Sequence, residues 1–317
     1  MAIELSLAIH SPPQSEAWLG YERYAQQMHE LSGGRVHIGV VNSGAVGIEE
    51  YNRVLARKHD MGRIFTLDMP PFPMHTIPAL PYILPISGGN MTILNSIFDK
   101  FLYTEWQDVK MLWLSLMSPW HLHTTKKTVR TIDDFQGLRI QASGLMAKFV
   151  NAWGGIPVER IDFKNSSREK AVQALYDILA TGEVDGVIST WEVVEVFKLY
   201  EITMHHTSLN VIRDINATVM NTEVWNNIPA DIKKIFENSN EWAQNEITRA
   251  QEAEASAARM ICQKRGHKII DLTSEDMSQW ITPAKSVSEK ILLELDNRGL
   301  PATRMADEIY ALTQGSH

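Results

Sequence analysis

The adjacent pair Trp191-Glu192 sets an indole face beside a carboxylate, a combination suited to holding a small cation. Asp162-Phe163 repeats the pairing of an acid with an aromatic ring. His121 and His123 are two residues apart, so on a strand they share a face. Such imidazoles are either metal ligands or a satisfied structural pair, and no third ligand near them in sequence argues for metal. His205 and His206 are adjacent and point to opposite faces of an extended segment, which makes them poor co-ligands. Cys262 is the single cysteine, so no intrachain disulfide and no all-cysteine zinc cage can form. It falls late in a helical stretch, between Ile261 and Gln263, where a thiol reads as structural rather than nucleophilic. No Gly-x-Gly-x-x-Gly, Gly-x-Ser-x-Gly or Walker pattern occurs, and Gly33-Gly34 and Gly154-Gly155 read as helix stops. The expectation is a protein that is not an enzyme and needs neither metal nor cofactor.

The elements that must position these residues belong to a chain of 317 residues, 44% hydrophobic and 21% charged, with a net charge of −8. That composition fits about two globular domains. No apolar run approaches the roughly 20 residues that span a bilayer. The acidic balance argues against gripping a phosphate backbone, so no nucleic-acid partner is expected. Alternation predicts a strand over 3–9, and apolar residues at three- and four-residue spacing predict a helix over 15–32. A strand over 36–41, a helix over 48–58 and a strand over 61–67 follow, the pattern of an α/β domain. Prolines 70, 71, 73, 78, 81 and 85 make the next stretch irregular. A helix over 90–101 and a strand over 109–116 come next, then a linker over 126–134. A second strand–helix–strand unit is read from 138 to 189, with strands at 138–142, 156–158 and 184–189 and helices at 145–153 and 169–180. A helix over 194–200, a strand over 217–220 and a helix over 274–297 are also predicted. Pro229 and Gly266 bracket the longest helical stretch, 230–264.

Several blocks resemble one family in order. They include Gln26-Gln27-Met28-His29-Glu30-Leu31-Ser32-Gly33-Gly34-Arg35-Val36, Ala79-Leu80-Pro81-Tyr82, and Ile132-Asp133-Asp134-Phe135-Gln136-Gly137-Leu138-Arg139-Ile140. Gly154-Gly155-Ile156-Pro157-Val158, Leu179-Ala180-Thr181-Gly182-Glu183-Val184-Asp185-Gly186, and Met220-Asn221-Thr222-Glu223-Val224-Trp225-Asn226-Asn227-Ile228-Pro229 continue the set over nearly the whole chain. The family is the extracytoplasmic solute-binding proteins of the tripartite ATP-independent periplasmic (TRAP) transporters. The resemblance implies an α/β, two-lobed periplasmic-binding-protein-like fold with crossing hinge strands and a long helix spanning both lobes. The expected lobes are residues 1–124 plus 213–252 and residues 125–212 plus 253–317. It also implies a monomeric periplasmic receptor that captures a small solute between its lobes and delivers it to membrane permease subunits. Met1-Ala2-Ile3-Glu4-Leu5 lacks the features of a signal peptide, so the expectation is a mature form without its leader.

In the family, an arginine that clamps the ligand carboxylate closes the Gly-Leu-Lys-Ile-Arg block; the matching residue here is Gln141. Glutamine donates and accepts hydrogen bonds but cannot neutralise an anion. Another family arginine upstream matches His121. The resemblance also brings Trp191, Glu192, Phe163, Asp162, Asp214, Arg63 and His10 into the candidate ligand set. The expectation is a small amine or amino alcohol, ethanolamine-like in size, between an aromatic ring and a carboxylate, with Gln141 on a hydroxyl. Two alternatives stand beside it: a small organic acid held by Arg63 or Arg139, and a ligand-sensing ectodomain. Bland readings stand as well, with Trp191 as core, Glu192 as a solvated helix-start charge, Asp162 and Asp214 as turn residues and Arg63 as a surface arginine. The segment 160–170 is longer than in the family pattern, and Lys164-Asn165-Ser166-Ser167-Arg168 within it reads as a surface loop with no assigned role.

Overall fold

The computed structural model describes residues 2–67, 69–85, 90–161 and 168–314. In chain order the elements are β1 (Ile3–Ile9), α1 (Glu16–Leu31), β2 (Val36–Asn42), α2 (Ile48–Leu55), β3 (Met61–Phe65), α3 (Asn90–Ile97), β4 (Val109–Leu116) and β5 (His121–Thr124). Then follow α4 (Ile132–Phe135), β6 (Arg139–Gln141), α5 (Gly144–Ala152), β7 (Ile156–Val158), α6 (Arg168–Ala180), β8 (Gly186–Ser189), α7 (Trp191–Val196) and β9 (His205–Ser208). The chain closes with β10 (Ile215–Asn221), α8 (Thr222–Asn227), α9 (Ala230–Lys264), β11 (Lys268–Asp271), α10 (Ser274–Asn297) and α11 (Ala302–Gln314). These form two units, the first of residues 1–72, 94–117 and 214–254, the second of 73–93, 118–213 and 255–317.

The first unit carries a five-stranded sheet ordered β2-β1-β3-β10-β4. β1 runs parallel to β2 and β3, while β10 is antiparallel to β3 and β4. β10 is buried along its whole length, as a strand covered on both faces must be. Helix α1 starts where Ser15 caps the Trp18 amide and stops at Gly33 and Gly34, both at positive φ. Its Tyr21, Tyr24 and Met28 pack with Phe236, Ala243 and Ile247 of α9 and with Met61, Trp113 and Met220 of the sheet.

The second unit carries a six-stranded sheet ordered β11-β9-β5-β8-β6-β7. β5 is antiparallel to both β8 and β9, and the other pairings are parallel. Thr131 and Asp134 form a capping box that opens α4 inside the stretch expected to be a linker. The helix expected over 194–200 instead starts at Trp191 and ends at Val196. Strands β9 and β11 and helix α11 fall where no element is predicted; the two strands are only four residues long, too short for period-two alternation to stand out. The units also divide differently from the expected lobes. Residues 73–93 and β5 belong to the second unit, because β5 pairs with β8 and β9 there, and α9 divides at 254 rather than 252.

Close packing inside this second sheet depends on Gly186, where a Cβ would stand 2.6 Å from the carbonyl oxygen of His123. Gly186→Ala should lose about 1–3 kcal/mol in urea unfolding by forcing β5 and β8 apart; an unchanged midpoint would show that the strands yield freely. Four buried histidines of the same unit make a second prediction. Loss of hydration pushes His75, His121 and His123 down to about 3 and His206 to about 2, with repulsion from His123 and His267 also acting on His206. The unfolded chain binds these protons near pH 6.5 and the folded chain does not, so stability is full above that pH and falls as the pH drops. The slope reaches at most about 1.4 kcal/mol per pH unit per histidine. The melting temperature should therefore decline from about pH 6.5 to about pH 4.5, before carboxylates titrate; a flat profile would contradict the burial of these rings.

Candidate functional site

Arg63 is the centre of a polar patch on one face of the first unit's sheet. It stands opposite Thr218, which in turn stands opposite Trp113. Two residues along β10, Asn216 stands opposite Phe65 and Ser115. Directly opposed residues share a face, so Arg63, Thr218, Asn216, Ser115 and Trp113 lie on one side. Arg63 is 2% exposed, which excludes a surface arginine. Its guanidinium donates from Nη1 to Ser11 Oγ at 3.0 Å and from Nη2 to Gln251 Oε1 at 3.1 Å, while Nε has no partner. Among the described residues it makes no ion pair. The Asn216 amide has no partner at either end, and neither Ser115 Oγ nor Trp113 Nε1 has one. Tyr21 joins the patch through its hydroxyl, 3.2 Å from Thr218 Oγ1. Burial pushes the Tyr21 phenol up, and the Arg63 charge partly opposes that.

A buried guanidinium with only neutral partners costs several kcal/mol, and each buried polar atom left without a hydrogen bond adds about 1–3 kcal/mol. Chemically the patch is rich in donors around a fixed positive charge, the set that receives an oxyanion. Asn216, Ser115 and Trp113 were missed in the sequence. The available signal was the alternation of Asn216 and Thr218 with Ile215, Ala217 and Val219 along the strand.

In the second unit one row crosses the sheet through Ile269, His206, His123, Val187, Gln141 and Val158. Gln141 is buried, and its Oε1 accepts from the Arg160 amide at 3.4 Å. His121 is buried with Nδ1 unpartnered, as is Thr190 Oγ1. Trp191 is 3% exposed and packs on the histidines, its ring centroid 5.8 Å from His121, 5.0 Å from His123 and 4.9 Å from His206. Glu192 is buried rather than solvated, and the Ser118 hydroxyl lies 2.6 and 2.5 Å from its two carboxylate oxygens. Arg139 is engaged elsewhere: its fork holds Asp185 at 3.1 and 2.8 Å. His205 and His206 do face apart, His205 toward Thr128 at 2.8 Å and His206 toward His123 at 2.8 Å. In the first unit, His10 directly follows β1 and Asp214, fully buried, precedes β10. Asp162 and Phe163 lie outside the described residues, as do residues 164–167 of the expected loop. A groove of about 540 Å³ beside β2 and α1, lined by Glu4, Glu22, His29 and His37, contains none of the candidate residues.

Among the described residues, no helix is long and apolar enough to cross a membrane. A family model for bacterial extracellular solute-binding protein, family 7 (DctP), matches residues 8–295. The C4-dicarboxylate-binding periplasmic protein DctP of Shewanella loihica is 29% identical over 161 residues, covering 49% of this chain and 44% of that protein. The match thus spans less than half the length of that curated relative. Two solved structures share the fold. One is a TRAP solute-binding protein from Rhodoferax ferrireducens in complex with copurified benzoate, with a TM-score of 0.84, 20% identity and coverage of 98% of this chain and 97% of that one. The other is a marine-metagenome TRAP solute-binding protein specific for aromatic acids, co-crystallised with 3-hydroxybenzoate, with a TM-score of 0.86, 18% identity and coverage of 99% of both chains. The two-lobed α/β fold of this chain is that of the TRAP periplasmic binding proteins, and the chain belongs to the DctP family, family 7 of the bacterial extracellular solute-binding proteins.

Proposed function

We propose that the chain is a periplasmic TRAP receptor that binds a small organic anion, with Arg63 as the partner of its carboxylate. In this reading it acts as a monomer and delivers the solute to membrane permease subunits. The single observation that supports the reading is a buried guanidinium whose hydrogen-bond partners are both neutral. A carboxylate brought to it would supply the missing charge, and the forked geometry suits two parallel hydrogen bonds. The relatives add weight, since a C4-dicarboxylate, benzoate and 3-hydroxybenzoate are all acids. An amine ligand is the weaker reading. It would need one of the buried carboxylates, Glu192 or Asp214, as its partner, and the relatives named above are described with acids. Arg139 is the weaker clamp because Asp185 occupies its fork. Within the second unit, Gln141, His121 and Trp191 are neutral groups, an amide, an imidazole and an indole, that require no counter-charge.

Calorimetry with C4-dicarboxylates, aromatic monocarboxylates and ethanolamine tests this reading. At least one carboxylate class should bind and ethanolamine should not; binding of the amine alone would overturn the proposal. Arg63→Met should weaken carboxylate binding by more than about 100-fold, or about 2.7 kcal/mol. The same variant should leave the melting temperature of the ligand-free protein unchanged or raised, because it replaces a buried cation by an apolar chain of similar volume. A large drop in melting temperature would instead mark Arg63 as a structural tie between Ser11 and Gln251.

A further inference from the structure

We infer that His206, Cys262 and His267 form a binding site for a soft monovalent d10 cation, Cu⁺, with Ag⁺ as its redox-stable analogue. One potential ligand atom from each residue lies within 4.8 Å of the other two. His206 and Cys262 are buried and His267 is half-buried.

The end of α9 brings two of the ligands together. The Gly266 amide donates to Gln263 O at 3.0 Å and the His267 amide donates to Cys262 O at 3.1 Å, with Gly266 at φ +78°. These bonds define a Schellman stop, which folds the second residue beyond the helix back over its last turn. Here that residue is His267 and the residue beneath it is Cys262. Strand β9 supplies the third ligand.

The lone pair of His206 is fixed by a relay of neutral rings. His123 Nε2 lies 3.2 Å from the Ser189 carbonyl, which can only accept, so Nε2 carries the proton. His123 Nδ1 is then an acceptor, and His206 Nδ1, 2.8 Å away, must donate to it. That leaves His206 Nε2 with its lone pair aimed at the cluster, 3.0 Å from His267 Nδ1. A ligating histidine whose second nitrogen is anchored through an outer partner is the usual arrangement around a metal. Binding requires the 3.0 Å separation to open by about half an ångström. The His267 ring proton moves to Nε2, and Cu⁺ replaces the thiol proton of Cys262, which leaves to solvent. No electron is transferred.

Softness and charge select the ion. A thiolate with two imidazoles favours Cu⁺ or Zn²⁺. The charge of Arg265 is felt at both Cys262 and His267, and that of Arg259 at His206. A thiolate with Cu⁺ is neutral overall, whereas a thiolate with Zn²⁺ leaves a net positive charge, which burial makes costly; of the neighbouring charges, Arg259 is paired with Asp271 and Arg265 is opposed by Glu195 at Cys262. Three protein ligands also fall short of the four of a closed zinc site.

Anaerobic titration of the full chain with Ag⁺ and Cu⁺ against a competing chelator, with native mass spectrometry for stoichiometry, tests the inference. One ion per chain with loss of one proton is expected. Cys262→Ser should weaken binding by more than about 100-fold and His267→Gln by about 10- to 100-fold, both with unchanged carboxylate binding. Failure of the wild type to bind at one equivalent, or undiminished binding in either variant, would overturn the site. Preference for Zn²⁺ over Ag⁺ would overturn the identity of the ion. Because the titration uses no organic acid, its failure leaves the carboxylate reading untouched.

Discussion

Among the described residues, a positive charge buried without an ion-pair partner is the main electrostatic constraint on the first unit. Arg63 sits on β3, the strand flanked by β1 and β10, and its two hydrogen-bonded partners, Ser11 and Gln251, are neutral. In a protein selected for stability alone, such a group would be replaced by an apolar side chain at little loss. Its neighbours compound the strain, because the Asn216 amide, Ser115 hydroxyl and Trp113 indole on the same face also have unmet hydrogen bonds. The sheet can carry it because the rest of the unit is conventionally packed, with Tyr24, Met28, Phe236 and Ile247 supplying apolar burial around it.

Charge logic reaches the second unit differently. Gln141 stands where the family resemblance places an arginine, and Arg139, two residues earlier, is tied to Asp185 by a bidentate pair. The second unit therefore offers neutral groups where the family pattern would offer a cation. Gln141 removes one cation from the family pattern, and the buried Arg63 guanidinium adds one on the first unit.

Much of the fold was legible because the long elements carry strong period and punctuation. Ser15 and Gly33 bracket α1, and Pro229 and Gly266 bracket α9. Short strands were not legible, since four residues such as His205–Ser208 or Lys268–Asp271 become strands only through their neighbours in the sheet. The candidate residues were half legible. Arg63, Gln141, His121 and Trp191 could be named from order along the chain, but no local pattern tells a buried arginine from an exposed one. Whether Arg63 has an anion beside it depends on Ser11, Thr218 and Gln251, residues far apart in sequence.

The histidines show the same limit more sharply. Read along the chain, His123, His206, Cys262 and His267 are unrelated, and His205-His206 is a pair that faces apart. Register makes His206 the cross-strand neighbour of His123, and a helix stop made of Gly266 makes His267 the neighbour of Cys262. Each step is ordinary backbone chemistry. Together they bring one ligand atom from each of His206, Cys262 and His267 within 4.8 Å of the other two, beside an indole that packs on His123 and His206. Burial then holds every ring neutral, the protonation state that a ligand to a metal requires. Proximity created by backbone motifs, rather than by any sequence spacing of ligands, is what distinguishes this cluster from a zinc-finger pattern and what keeps it invisible to motif reading.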